Sequence, residues 1–212
     1  MRKAIIGIVM SLPSLAATEE IVIAALGDSL TQGYGLVVDD GFVPQLQDWL
    51  DAQGLDARVI NAGVSGDTTA GGLSRVGWTL TPDVDAMIVT LGGNDFLRGI
   101  DPQVSRANLE GILKAAAEAQ VAVLLVGMQA PGNFGPAYKN AFDAIYPELS
   151  QSYGALHAQS FFQGLPSEGT DPGALQHYMQ PDGIHPNAQG VARIVEGLGP
   201  DVAALIERAA RE

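Results

Sequence analysis

The feature that most constrains this chain is a run without a single polar side chain, Ile21-Val22-Ile23-Ala24-Ala25-Leu26, followed at once by Gly27-Asp28-Ser29. A half-exposed strand would alternate apolar and polar residues. A continuous β-branched run of this length instead fits a strand buried on both faces. Further strands are expected at residues 57–61, 86–91 and 121–127, with a weaker fifth at 155–162. Helical patterns separate them. Phe42, Leu46, Trp49 and Leu50 share one face of a helix that Asp39 or Asp40 would cap and that Gly54 would follow. Asp101-Pro102 reads as an N-cap with proline at the first helical position, leading into an alanine-rich stretch to residue 119. Residues 136–153 read as a helix interrupted near Pro147. Asn187 starts another, with Val191, Ile194, Val195 and Leu198 on its face, and Pro200 opens a separate last helix to near Arg208. Strand and helix in alternation give a parallel sheet covered on both sides. Right-handed crossovers then make a doubly wound, three-layer α/β/α sandwich.

With 212 residues and no long polar linker, one domain is expected, and 47% hydrophobic residues supply its core. The formal net charge of −13 opposes nucleic acid or an anionic lipid surface as a partner. The absence of cysteine excludes disulfides, thiolate metal ligands and thiol catalysis. At the N-terminus Arg2-Lys3 precede the apolar residues 4–10, then Ser11, Pro13 and the small-residue stretch Ser14-Leu15-Ala16-Ala17. That order reads as a secretory signal over residues 1–17, too short to span a bilayer and cut after Ala16 or Ala17. The competing reading is a first buried strand. Removal would leave residues 18–212 as a single domain, periplasmic or secreted, with no stable membrane insertion.

The polar signatures follow the strands. Ser29 comes after the first, Asn61-Ala62-Gly63-Val64-Ser65-Gly66-Asp67-Thr68-Thr69 after the second, and Gly92-Gly93-Asn94-Asp95 after the third. Parallel strands bring their C-terminal ends to one edge, so these segments converge there. Singly, each has a plain reading as a cap or tight turn. Together with Asp182-Gly183-Ile184-His185-Pro186 they supply the parts of serine acyl transfer. Ser29 is the candidate nucleophile, His185 its base, and Asp182 the carboxylate that orients the imidazole. The N–H groups of Ser29 and Gly63 and the amide of Asn94 are candidate oxyanion donors. His157 and His177 have no comparable surroundings and read as structural or surface residues. Neither a metal cluster, nor a phosphate-cradling loop, nor a dinucleotide fingerprint is present, so no metal or cofactor is expected.

Gly27-Asp28-Ser29-Leu30, Gly63, Gly92-Gly93-Asn94-Asp95 and Asp182-x-x-His185 occur in the order in which the GDSL, or SGNH, hydrolases carry their sequence blocks, and the chain resembles that family over nearly its whole length beyond the signal. Leu97-Arg98-Gly99, Pro131-x-Asn133-Phe134-Gly135 and residues 179–187 are similar to the bacterial thioesterase I / lysophospholipase L1 / arylesterase branch. The resemblance implies a flavodoxin-like five-stranded parallel sheet of order 2-1-3-4-5. It also implies a metal-free serine esterase with a shallow site of wide tolerance, acting on aryl esters, acyl thioesters and lysophospholipids. Phe134 stands where that branch often has tyrosine, and Phe96 is bulky for its place, so chain-length preference is its own. Phe96, Leu97, Met128, Phe134 and Tyr138 are the candidate acyl-binding residues, and they favour acyl chains over sugars. A carbohydrate O-acetyl esterase and a non-catalytic binding module are the competing functions.

Overall fold

Residues 20–166 and 172–211 are described by the computed structural model, so the expected signal segment lies outside the described residues. Five strands pair in parallel: β1 (Ile21–Gly27), β2 (Ala57–Gly63), β3 (Ala86–Thr90), β4 (Ala122–Val126) and β5 (Leu156–Ala158). Their order is β2-β1-β3-β4-β5. The continuous apolar runs have the physical cause the sequence suggests. β3 and β4 are buried at every position and β1 at all but its first, because helices cover both faces. The edge strands differ. β2 exposes Arg58 and Asn61, and β5 exposes His157 and is only three residues long, shorter than the expected 155–162.

The helices are α1 (Ser29–Gln32), α2 (Phe42–Ala52), α3 (Thr69–Thr79), α4 (Gly93–Leu97), α5 (Pro102–Glu118), α6 (Pro136–Asp143), α7 (Ile145–Tyr153), α8 (Pro172–Gln176) and α9 (Ala188–Ala209). α2 and α9 pack together over one face of the sheet, and α3, α5 and α7 cover the other. Phe42, Leu46 and Leu50 of α2 and Val191, Ile194 and Leu198 of α9 are all but inaccessible to solvent. Asp101 and Asn187 cap as expected, accepting from Gln103 N–H at 2.9 Å and Gly190 N–H at 3.0 Å.

Three local expectations are corrected. Asp39 and Asp40 belong to a 3-10 turn, Val38–Asp40, and Gly41 takes the N-cap position of α2 without a side-chain cap. The break in residues 136–153 falls at Ala144, and Pro147 sits in the first turn of α7, where its missing N–H has no helical acceptor to lose. Pro200 does not open a helix but lies inside α9. Pro200 and Glu196, whose carbonyl loses its donor, are both exposed, so water satisfies what the proline removes.

The register explains where the site is. Gly27 is paired with Gly63 on one side and Thr90 on the other, so β1, β2 and β3 end level. The chain runs outward from β1 to β2 and returns across β1 to β3. This is the topological switch point, where the connections after β1 and β3 diverge and leave a crevice. Ser29 and Asn94 follow the two strands that flank it.

Candidate active site

Ser29 is the first residue of α1. The preceding Asp28 caps the helix, its Oδ1 accepting from Leu30 N–H at 3.0 Å. A first-turn N–H has no helical acceptor, and Ser29 N–H finds none elsewhere among the described residues. Ser29 Oγ lies 2.9 Å from His185 Nε2, and His185 Nδ1 lies 2.6 Å from Asp182 Oδ2. Asp182 also accepts from the backbone N–H groups of Ile184 at 2.9 Å and His185 at 3.0 Å. These bonds, led by those from His185, hold its carboxyl down at about 2. An ionised Asp182 places the proton on His185 Nδ1, which leaves Nε2 as an acceptor aimed at the Ser29 hydroxyl. The sequence separation of 156 residues between Ser29 and His185 is closed by the fold alone.

Asn94 is the second residue of α4 and directs Nδ2 to Asp28 Oδ2 at 3.3 Å. Asp28 is 2% exposed, and burial pushes its carboxyl up to about 6 despite the hydrogen bonds from Leu30 and Asn94. The helix under Asn94 is fixed by the next residue. Buried Asp95 accepts from Thr69 N–H at 2.9 Å, Thr69 Oγ1 at 2.5 Å and Ser105 Oγ at 2.8 Å, joining α4 to α3 and α5.

Gly63 serves a different purpose from the one expected. A Cβ there would stand 2.4 Å from the backbone nitrogen of Gln32, so glycine is needed for β2 to end against α1. Its N–H donates to Asn61 Oδ1 at 2.9 Å and is occupied. The turn that follows holds another glycine N–H. Gly66 has φ +85°, and its N–H finds no acceptor among the described residues. Ser65 Oγ donates to Gln32 Oε1 at 3.0 Å and Arg98 Nη2 donates to Gly66 O at 2.8 Å, so the turn is held between the residues one turn beyond Ser29 and Asn94. Arg75 secures it from below. Its guanidinium donates to Asp67 Oδ2 at 2.7 Å, Ala62 O at 2.6 Å and Gly27 O at 2.8 Å, clamping the ends of β1 and β2 to the turn. Arg75 has no local sequence signal, because its three partners come from separate segments.

The candidate acyl-binding residues divide. Leu97 is 53% exposed and Phe134 46%. Phe134 lies against Gly99 and stacks obliquely on Tyr138, with ring centroids 5.1 Å apart, so the loop after β4 reaches the segment that follows Asn94. Tyr138 donates its hydroxyl to Ile100 O at 2.8 Å, and partly buried Phe96 packs edge-on to Phe142. Met128 is a correction. It is 3% exposed and belongs to the core, because it follows the buried strand β4 before the chain reaches the surface. Among the described residues no group of three or more His, Cys, Asp or Glu side chains is arranged to hold a metal ion.

The comparisons with known proteins agree with this fold. Residues 25–193 match the model of the GDSL-like Lipase/Acylhydrolase family. The chain is 38% identical to Esterase TesA of Pseudomonas aeruginosa over 90% of its own length and 91% of the relative's. It is 32% identical to Thioesterase 1/protease 1/lysophospholipase L1 of Escherichia coli K12, over 90% and 86%. Among solved structures it is similar to AlinE4, an SGNH-hydrolase family esterase, with TM-score 0.72 and 41% identity over 89% of this chain and 98% of that one. A serine at the switch point, within reach of an imidazole on a late loop, is thus set in a chain that belongs to the GDSL-like lipase/acylhydrolase family, as a hydrolase of the esterase/thioesterase type.

Proposed function

We propose that the protein cleaves carboxylic ester and thioester bonds of acyl substrates, aryl esters and lysophospholipids among them, through an acyl-enzyme on Ser29. The observation that carries this reading is the unbroken hydrogen-bonded series from Asp182 Oδ2 through His185 to Ser29 Oγ. Ser29 Oγ attacks the acyl carbon while His185 Nε2 takes its proton. Asp182 stabilises the imidazolium, which then protonates the leaving alcohol or thiol. Water, activated by the same imidazole, releases the acid and frees Ser29.

Negative charge gathers on the former carbonyl oxygen in both steps. The donors are the N–H of Ser29, Nδ2 of Asn94 and, in place of Gly63, the N–H of Gly66. An ionised carboxylate can only accept, so Asp28 holds the Nδ2 end of the Asn94 amide, not Oδ1, towards itself and leaves the second Nδ2 hydrogen for the oxyanion. Leu97, Phe134 and Tyr138 form the apolar rim for the acyl chain. Residues 1–17 export the chain to the periplasm or medium, a part of the proposal that N-terminal sequencing of the exported protein tests.

The decisive assay compares p-nitrophenyl acetate, longer p-nitrophenyl esters, an acyl thioester and an acetylated sugar, for wild type and Ser29→Ala. Turnover of the acyl series by wild type and none by Ser29→Ala is the expected result. Activity confined to the acetylated sugar would establish the O-acetyl esterase instead, and no turnover of any substrate would leave a binding module.

A further inference from the structure

The base sits on an exposed loop, and one side chain ties that loop to the nucleophile's half of the site. Gln180 directs both N–H groups of its amide to backbone carbonyls of different segments. Nε2 lies 2.8 Å from Tyr34 O and 3.0 Å from Pro186 O. The Gln180 backbone N–H also donates to His185 O at 2.8 Å, and Gly183 N–H returns to Gln180 O at 3.0 Å. Gln180 thus grips the carbonyls of His185 and of the residue after it, and from the same nitrogen reaches the turn that follows α1. Among the described residues this is the one hydrogen bond between that turn, residues 33–36, and the loop of residues 180–186; the Ser29–His185 contact joins the same loop to α1. The Tyr34 ring lies on the imidazole, with ring centroids 4.7 Å apart and planes tilted by 40°.

Gly35 shows how closely the two segments approach. A Cβ there would stand 2.2 Å from Gln180 Oε1, in a backbone with φ +76°. The close contact at residue 35 and the two-carbonyl grip both fall on the Gln180 amide, its oxygen against Gly35 and its nitrogen on Tyr34 O and Pro186 O. We propose that Gln180 is a positioning residue that fixes His185 against Ser29 by tying the base-bearing loop to the turn after α1. The proposal rests on the reading of Ser29 and His185 as nucleophile and base. Asp182 and His185 move together because they share a loop, whereas the distance from Nε2 to Ser29 Oγ depends on the tie. Proton transfer is steep in that distance, and misplacement by about 1 Å costs on the order of 100-fold.

The test compares wild type with Gln180→Met, which keeps length and loses both donors, with Gly35→Ala, which crowds the amide but leaves residue 180 a glutamine, and with Gln180→Ala alone and combined with Gly35→Ala. Three quantities are read: kcat and KM for p-nitrophenyl acetate, the rate of Ser29 phosphonylation by a fluorophosphonate, and the downfield proton resonance of His185 Nδ1–H. Gln180→Met is expected to lower kcat and the phosphonylation rate together by about 10- to 100-fold, with KM little changed. The Nδ1–H resonance is expected to persist, because the Asp182–His185 bond lies within the loop. Gly35→Ala should reproduce the loss, and in the Gln180→Ala background it should cost clearly less than in wild type, since its clash partner is then gone and only the strain of the left-handed backbone at residue 35 is left. Phosphonylation of Gln180→Met within twofold of wild type, additive losses in the double variant, or loss of the Nδ1–H resonance in step with the melting temperature would each overturn the tie. A wild type that neither turns over nor labels at Ser29 would overturn the functional reading and the tie with it. Normal wild-type labelling beside an unaffected Gln180→Met overturns the tie alone.

Discussion

Two aspartates meet at the Ser29 site under opposite conditions. Asp28 is 2% exposed and is pushed up to about 6, while the side chain of Asp182 is 37% exposed and is held down at about 2. Burial governs the first, where two hydrogen bonds do not offset the loss of water. Hydrogen bonds govern the second, where the ring and the backbone of one short loop converge on an accessible carboxylate. The contrast extends to everything around them. The nucleophile's half is set in buried strands and joined to α3 and α5 by Asp95, whereas the base's half is a surface loop held at few points. The site therefore joins a rigid floor to a tethered arm, and the two halves fail in different ways when altered.

The largest expected effect falls on the arm. His185→Ala removes the proton acceptor and should cost at least about 10⁴-fold in kcat, with Asp182→Asn approaching that loss while the fold persists. A loss below tenfold in either variant would break the comparison, because the arm would then be dispensable. Next is Asn94→Ala on the floor, which should lower kcat by about 10²–10³ with KM little changed. A raised KM at constant kcat would make Asn94 a binding residue.

Smaller still is the effect on stability, where the two aspartates have opposite signs. Asp28 titrates near 6 when folded, above the ordinary 3.8, so the folded state holds the extra proton between those values. Stability is thereby lost as pH rises from about 4 to about 6. Asp182 is depressed, so its contribution is present above about 4 and is lost as pH falls towards 2. Melting curves of Asp28→Asn and wild type should therefore diverge in the variant's favour from pH 4 to 6. A constant difference across that range would show that burial does not govern Asp28. The smallest effect is at the rim. Phe134→Ala should reduce kcat/KM progressively more for longer p-nitrophenyl esters than for acetate, by at most about fourfold per methylene at roughly 0.8 kcal/mol each. A uniform loss, or a lowered melting temperature alone, would assign Phe134 to packing.

The floor was far more legible in the sequence than the arm's attachments or the rim. Short β-branched apolar runs that alternate with helical patterns fit strands covered on both sides, and sequence order places Ser29 and Asn94 after β1 and β3. The Asp182-x-x-His185 spacing puts carboxylate and imidazole on one loop. What escaped was held by long-range contacts or by backbone detail. Arg75 clamps three segments, and Gln180 spans 146 residues to Tyr34. Gly63 looked like a donor because glycine admits close approach. The neighbour it admits is Gln32, and its N–H turns to Asn61. Met128 looked like rim because it follows β4, but one residue decides whether a side chain faces core or crevice. Pro200 looked like a helix start because propensity alone does not show that the carbonyl it orphans is exposed.

The most direct test of the account is to trap the nucleophile. Wild-type protein is treated with a fluorophosphonate, digested, and the modified peptide is mapped by mass spectrometry, with Ser29→Ala and His185→Ala treated in parallel. Stoichiometric modification at Ser29, absent in Ser29→Ala and strongly slowed in His185→Ala, is the predicted result. Modification at Ser65, or labelling that persists in Ser29→Ala, would contradict it.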